Sequence, residues 1–167
     1  MKISLDDLTI KFQTDISDRL TEDWTWLIGT NKKVILISAI GDMFLTSDNG
    51  NIFWLDVGQG KFEMVAVDKK EFEQQLTNIE QVNEWFMIDL TTQLQQSDKK
   101  LKDGQLYSFK KLPVIGGDYS VDNFEPADLE VHFGFAAQIH QQIKDLPDGT
   151  RVNIKFVDYG SSAQQKL

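Results

Sequence analysis

Short apolar runs separated by turn residues mark the first half of the chain as a set of neighbouring strands. The runs cover residues 34–40, 43–46, 52–57 and 62–67. The connections at residues 48–51 (DNGN) and 58–60 (GQG) carry the Asn, Asp and Gly residues that tight hairpins require. The pattern therefore predicts a meander in which successive strands pair antiparallel.

Before this meander, residues 15–28 have the apolar spacing of a helix. Thr21 is expected to act as an N-cap and Gly29 to stop the helix. Residues 2–12 carry alternating apolar positions and are expected to form an arm or a short strand.

After the meander, the pattern predicts two helices that begin near residues 68 and 80. Asp68 followed by Glu71 resembles a capping box, in which side chains satisfy the free amides of a helix start. Phe72, Leu76 and Ile79 are expected to form one apolar stripe. The second helix is expected to end near residue 97.

Residues 105–156 begin with a predicted strand at 106–109 and a turn-rich segment at 112–123. Next comes the longest predicted helix, 126–146, with Pro126 in its first turn. Leu129, Phe133 and Ile143 are expected to be buried, and Glu130 and Gln141 to be exposed. A last strand is predicted at 152–156, and Gly116-Gly117 indicates either positive φ angles, a close backbone approach or a plain loop.

These elements predict an α+β fold, an antiparallel sheet with helices packed mainly on one face. We expect a single domain over residues 1–167, in four consecutive parts. The parts are an N-terminal arm and helix (1–30), the meander (33–67), two helices (68–98) and the C-terminal strand, loop, helix and strand (105–156).

Composition narrows the classes of function. The chain has 167 residues and no Cys, which excludes disulfides, thiolate metal sites and cysteine nucleophiles. The net charge of −9 disfavours nucleic-acid binding, which requires phosphate neutralisation, and favours a basic protein partner. No apolar run is long enough to span a membrane, and the N-terminus does not resemble a signal peptide, so we expect a cytoplasmic protein.

The two histidines suggest a metal site, but their spacing is unfavourable. Asp128 and His132 are four residues apart and share a helix face, as two ligands of a zinc helix do. His140 is rotated by roughly 80° from His132, which is a poor geometry for a shared ion. We therefore expect no bound metal and no cofactor, with both histidines on the helix surface or hydrogen-bonded in the core.

A small hydrolase is the alternative function, with a site in the region 118–140. Asp118, Asp122 and Glu125 cluster near the glycine pair, and some hydrolases use paired carboxylates. Ser108 or Ser120 with a histidine would supply part of a catalytic triad, although the chain has no G-x-S-x-G elbow. Acids at such positions more commonly cap helices or face solvent, so we expect no catalytic residues.

A protein-binding surface agrees better with the same stretch. From residue 112 to residue 143 the chain has five acids and no Lys or Arg. Acidic side chains beside aromatic ones are typical of protein recognition sites. The acids would also steer a basic partner towards the surface. The predicted partner-binding residues are Asp118, Tyr119, Asp122, Phe124 and Glu125.

Several motifs resemble an immunity-protein family whose best-known members neutralise DNase toxins delivered by the bacterial type VI secretion system. They are GDMF at 41–44, IFWLD at 52–56, QLYSFK at 105–110, PVIGGDY at 113–119 and QIHQQIKDLP at 138–147. The resemblance implies an α+β domain that is not an enzyme and that binds a cognate toxin encoded beside it. Members of the family often carry an additional N-terminal module, which these 167 residues lack.

Overall fold

The computed structural model describes residues 2–154 of the chain. The strands are Thr9–Ile10 (β1), Lys32–Ser38 (β2), Met43–Ser47 (β3), Ile52–Asp56 (β4), Lys61–Ala66 (β5), Gln105–Phe109 (β6) and Phe124–Asp128 (β7). The α-helices are Leu5–Leu8 (α1), Ser17–Thr21 (α2), Thr25–Ile28 (α3), Lys69–Gln75 (α4), Ile79–Phe86 (α5), Ile88–Gln96 (α6) and Leu129–Ile143 (α7). Among residues 2–154, no helix has the length and apolar character needed to cross a membrane.

Strands β1 to β5 form one antiparallel sheet in chain order, and β6 pairs with β7 in a second, two-stranded sheet. In the larger sheet, Leu55 of β4 lies opposite Met43 on one side and opposite Phe62 on the other. Both connections of β4 are therefore hairpins, as the turn residues indicate. The predicted meander is confirmed, and the N-terminal arm adds α1 and the short strand β1 at its edge.

Helices cover both faces of the larger sheet. Leu45 and Leu55 contribute to a core that also contains buried side chains of α7. Phe44 and Trp54, which alternate with them along the strands, pack in a second core with residues of α4 and α5. The α+β class is confirmed, but the expectation of helices mainly on one face is wrong. The reason is that β3 and β4 carry large apolar residues at successive positions and so require cover on both sides.

The long C-terminal helix is shorter than the pattern predicts. It covers Leu129–Ile143 instead of residues 126–146, and Pro126 lies in strand β7, opposite Tyr107 of β6. Proline is tolerated there because a two-stranded sheet has outer edges at which a backbone amide donor is not needed. The helix prediction is wrong at this end because residues 124–128 pair with β6. Such a pairing joins segments that are distant in the chain, so the local spacing of apolar residues does not reveal it.

The predicted faces of α7 are largely confirmed. Leu129 and Phe133 are buried, and Ile143 near the end of the helix is half-buried. Glu130 and Gln141 are exposed. The helix therefore packs against the sheet along most of its length through the stripe that the sequence indicates.

Residues 15–28 form short helical turns rather than one helix. Helices α2 and α3 are separated by a 3₁₀ turn at Glu22–Trp24, and Gly29 ends α3 as predicted. Thr21 occupies the N-cap position of the 3₁₀ turn, but its side chain makes no capping hydrogen bond, because its hydroxyl donates to the Ser17 carbonyl at 3.1 Å. Such a bond to the preceding turn bends helices, which agrees with the break at this point.

The segment predicted as one helix over residues 80–97 is two helices. Met87 takes a left-handed conformation with φ of 44° between α5 and α6. The Asn83 side chain accepts the Ile88 amide at 3.2 Å and so satisfies a donor at the break. The break turns the chain so that Trp85 and Phe86 of α5 pack in the second core, whereas Leu90 and Leu94 of α6 pack in the first.

The start of α4 is predicted correctly, but the stripe beyond it is not. The Asp68 carboxylate accepts the Glu71 amide at 2.8 Å, as an N-cap does. Phe72 is buried and Leu76 is half-buried, whereas Ile79 is 69% exposed. Ile79 leaves the stripe because α4 ends at Gln75 and α5 begins a new helix with its own orientation.

The strand predicted at residues 152–156 is absent from the three of its residues that the structure describes. Residues 152–154 have no strand pairing, and residues 155 and 156 lie outside the described residues.

Candidate functional site

The loop between β6 and β7 is built around one asparagine. The Asn123 side chain donates to the carbonyl oxygens of Lys111 (2.9 Å) and Asp118 (2.7 Å) and accepts the Lys111 amide at 3.1 Å. Gly116 has φ of 99°, and a Cβ on Gly117 would lie 1.8 Å from the Lys111 carbonyl oxygen. The glycine pair thus supplies both a positive φ and a close approach, which holds this loop in a defined shape.

Four of the five predicted partner-binding residues lie on the surface of this loop or strand. Asp118, Asp122 and Glu125 are exposed, and Tyr119 is 37% exposed. Phe124 is different, because it is fully buried, with its ring centroid 4.4 Å from that of Phe109. Its assignment as a contact residue is therefore wrong for this structure: its side chain faces the core beneath the loop.

Tyr119 connects the loop to the turn between β4 and β5. Its ring meets Phe109 edge-on at 5.5 Å, and its hydroxyl accepts the Gln59 side-chain amide at 3.3 Å. Burial, with a smaller contribution from the nearby carboxylates of Asp56 and Asp42, raises the pKa of Tyr119 to about 12. The phenol therefore keeps its proton at neutral pH and remains a hydrogen-bond donor at this surface.

A buried carboxylate lies behind the same turn. Asp42 accepts the Val57 amide at 2.9 Å and the Trp54 indole N–H at 3.2 Å. Burial raises the pKa of Asp42 well above its usual value, and the neighbouring Asp56 carboxylate raises it further. The GDMF and IFWLD motifs thus meet in a hydrogen-bond network that fixes the end of the sheet. Nothing in the local sequence indicates this role of Asp42, because its partners Trp54 and Val57 lie 12 and 15 residues away.

His132 joins α7 to the turn before β3. Its Nε2 lies 2.8 Å from the Gly41 carbonyl oxygen, and its Nδ1 lies 2.7 Å from the Ser108 hydroxyl. Because a carbonyl oxygen only accepts, Nε2 carries the hydrogen and Nδ1 accepts from Ser108. Burial lowers the pKa of His132 to about 4, so the ring is neutral at physiological pH.

His140 makes the equivalent connection to the turn after β4. Its Nε2 donates to the Val57 carbonyl oxygen at 2.6 Å, and burial lowers its pKa. Helix α7 is therefore held against two turns of the sheet, through the carbonyl oxygens of Gly41 and Val57. Asp42 directly follows Gly41 and accepts the amide of Val57, so it connects the two turns. Asp128, four residues before His132, is exposed, whereas both ring nitrogens of His132 are bonded to Ser108 and Gly41 in the interior. In residues 2–154, no group of three or more His, Asp or Glu side chains is arranged to hold a metal ion.

The contact between Ser108 and His132 resembles part of a hydrolase triad. However, the third position is filled by the Gly41 carbonyl instead of a carboxylate. A pKa of about 4 makes His132 a weak base, and a ring that is only 3% exposed cannot meet a substrate. This geometry is that of a structural hydrogen bond, and it does not favour the hydrolase alternative.

An open groove of about 540 Å³ lies elsewhere on the molecule. Its walls come from α2, α3 and the start of β2, with side chains of both charge signs such as Glu22 and Lys32. None of its lining residues belongs to the region 118–140. The exposed carboxylates of the loop therefore do not line this groove.

The stretch from residue 112 to residue 143, which contains no Lys or Arg, has basic residues close to it. Lys99 donates from Nζ to the carbonyl oxygens of Val121 (2.5 Å) and Phe124 (2.9 Å), and Lys111 pairs through its backbone with Asn123. Lys99 therefore brings a positive charge beneath residues 121–124. The surface around Asp118 and Asp122 is therefore less strongly negative than the absence of bases between residues 112 and 143 suggests.

Comparison with known proteins supports one family. Residues 66–140 match the family model described as "T6SS immunity protein Tdi1, C-terminal". The matched segment begins at the end of β5 and includes α4 to α6, the acidic loop and both histidines. The match confirms the resemblance to a type VI secretion immunity family that the motifs indicate.

One solved structure supports the fold. The crystal structure of Atu4351 from Agrobacterium tumefaciens is similar with a TM-score of 0.51 and 17% sequence identity. The alignment covers 73% of this chain and 64% of that chain, so this chain spans just under two thirds of the similar protein. At this identity the likeness concerns the fold alone. No curated protein matches the chain.

Proposed function

We propose that this protein is an immunity protein that binds a cognate toxin, delivered by a type VI secretion system, and blocks it in the cytoplasm. The observation that carries the proposal is the family match over residues 66–140. The match includes the whole surface on which the sequence analysis placed partner binding. The protein acts by occupying the toxin and turns over no substrate.

The chemistry of the surface supports a basic partner. The chain carries 26 acidic residues against 17 basic ones, and the acids of the β6–β7 loop are exposed around Tyr119. Tyrosine is enriched in protein interfaces because it combines apolar area with a hydrogen-bonding tip. Asp118, Asp122 and Glu125 then act as a rim that steers a positively charged toxin to Tyr119.

Co-expression with the toxin tests this function directly. The gene beside the one for this protein is expressed in a host cell alone and together with the wild-type protein. We expect growth arrest in the first case, rescue in the second, and a stable complex in a pull-down at low salt. A harmless neighbouring product, or the absence of a complex, would refute the proposal and strengthen the hydrolase alternative.

A charge-reversed variant tests the surface. Asp118→Lys with Asp122→Lys should rescue growth less well than the wild type. The matched control is Asp15→Lys with Asp48→Lys, which changes the net charge equally at two exposed acids outside both the loop and residues 71–98. Equal rescue by both double variants would show that the loop acids have no specific role.

A further inference from the structure

Helix α5 presents a distinctive outward face. Ile79, Glu80, Asn83 and Glu84 are exposed, while Trp85 and Phe86 are buried on the other side. Ile79 is 69% exposed, the largest exposure of any large apolar residue that the structure describes. The helix thus offers an apolar side chain to solvent, with exposed acids beside it.

The two exposed acids on this face of α5 lie close to each other. Glu80 and Glu84 are four residues apart, and like charges at this spacing repel each other on a helix surface. The Glu80 amide is already capped by the Asn78 side chain at 3.0 Å, so helix capping does not require the Glu80 carboxylate. Glu84 accepts the Gln81 side-chain amide at 2.9 Å, and Glu80 lies in the first turn, where the helix dipole favours an acid. The exposed Ile79 side chain, in contrast, packs in neither of the two cores.

The sequence on either side of α5 is acidic. From residue 71 to residue 98 the chain has six acids and no Lys or Arg. Three of the four flanking bases have partners within the chain: Lys69 pairs with Glu73 at 3.6 Å, Lys99 is bonded to carbonyl oxygens of Val121 and Phe124, and Lys100 donates to the Gln95 carbonyl at 2.9 Å. The outer surface of α5 is therefore complementary to a basic protein surface.

We propose that the outward face of α5 is a docking surface for the toxin, with Ile79 inserted into an apolar pocket and Glu80 and Glu84 paired with basic side chains around it. The inference rests on the proposed function, because the occupant is the same toxin. It assigns the two surfaces different tasks. The loop acids steer the encounter, and α5 holds the complex together once it has formed.

Kinetic measurements separate the two tasks. The toxin, inactivated by mutation of its own active site, is immobilised, and the association and dissociation rates of the full-length chain are measured by surface plasmon resonance. Ile79→Ser should raise the dissociation rate by about tenfold or more, the effect of losing a central apolar anchor. Glu80→Lys with Glu84→Lys should weaken binding further by placing like charges against the partner.

Met64→Ser is the matched control, because Met64 is also a large apolar residue and is 51% exposed, but it lies on β5. We expect its dissociation rate to equal that of the wild type. Hydrogen exchange on the wild-type complex gives a second measurement that does not depend on variants. Binding should slow exchange in residues 79–86.

The outcomes distinguish the two proposals. If the wild type binds no toxin, the proposed function fails and this inference fails with it. If the wild type binds but Ile79→Ser dissociates at the wild-type rate and residues 79–86 gain no protection, only the docking role of α5 is refuted.

Discussion

His132 is neutral in the folded protein because its burial penalises the charged ring, and this effect outweighs the hydrogen bond to the Gly41 carbonyl, which favours protonation. Its pKa falls from 6.5 to about 4, so protonation in acid favours the unfolded chain. The stability that depends on the neutral ring is complete above pH 6.5 and is lost as the pH falls from there towards 4. Asp42 acts in the opposite direction, because burial raises its pKa and makes the folded state favour the protonated carboxyl.

A variant comparison isolates the histidine from Asp42. The difference in unfolding free energy between the wild type and His132→Gln should be largest at pH 7.5. It should shrink by about 2 kcal/mol at pH 5, because glutamine does not titrate. Urea denaturation at both pH values measures it. A difference that is constant with pH would show that the His132 ring has an ordinary pKa.

Gly41 is required by the same contact. Its φ is 96°, and a Cβ at this position would lie 2.3 Å from the Nε2 atom of His132. Gly50 provides the control, because its φ is 87° but no atom lies within 4 Å of the equivalent position. Gly50→Ala should cost roughly 1–2 kcal/mol for the left-handed backbone alone.

Gly41→Ala should cost at least about 1 kcal/mol more than Gly50→Ala, because the imidazole must move and its buried hydrogen bond is lost. Thermal and chemical unfolding of both variants measure the difference. Equal losses at the two glycines would mean that the histidine adapts without cost.

At the scale of the element, α7 contacts both sheets through its two histidines and contributes its inner face to the larger core. Phe133 is completely buried on its inner face. Phe133→Ala should therefore lower the unfolding free energy by about 3–5 kcal/mol. The exposed Gln141→Ala on the same helix should change it by less than about 0.5 kcal/mol. A denaturation midpoint that is unchanged in Phe133→Ala would contradict the described packing of α7.

Elements set by local chemistry could be predicted, and those set by distant partners could not. The hairpins of β3 to β5 and the Asp68 cap depend on residues within a few positions of each other. Strand β7 depends on its pairing with β6, so Pro126 was assigned to a helix. Phe124 lies between exposed neighbours in the sequence, and only the register opposite Phe109 shows that it is buried.

In the candidate site, too, local features could be predicted from the sequence and contacts between distant residues could not. The exposed acids and Tyr119 could be proposed from composition alone. The roles of the histidines could not, because their carbonyl partners lie 91 and 83 residues away in the chain. Lys99 beneath the acidic loop was also missed, since it lies 22 residues before the carbonyl of Val121 to which it is bonded.

At the scale of the whole molecule, the net charge of −9 should govern how fast the toxin is captured. Asp118→Lys with Asp122→Lys should slow association several-fold and leave dissociation nearly unchanged, because rim charges act mainly on the encounter. The difference should shrink between about 50 mM and about 500 mM salt, as screening shortens the range of the field. Stopped-flow mixing with the inactivated toxin measures the rates. A deficit that persists at high salt would indicate a direct contact instead of steering.

The two hairpin turns of the meander differ in how they can be used to label the protein. Gly50 faces open space, whereas a side chain at Gly58 would meet Tyr119 and one at Gly60 would meet His140. A fluorophore or an inserted epitope at residues 48–51 should therefore be accepted without disturbing the rest of the chain. The same insertion at residues 58–60 would separate the sheet from both the loop and the helix. The first turn is thus the place to attach a reporter for following toxin capture in living cells.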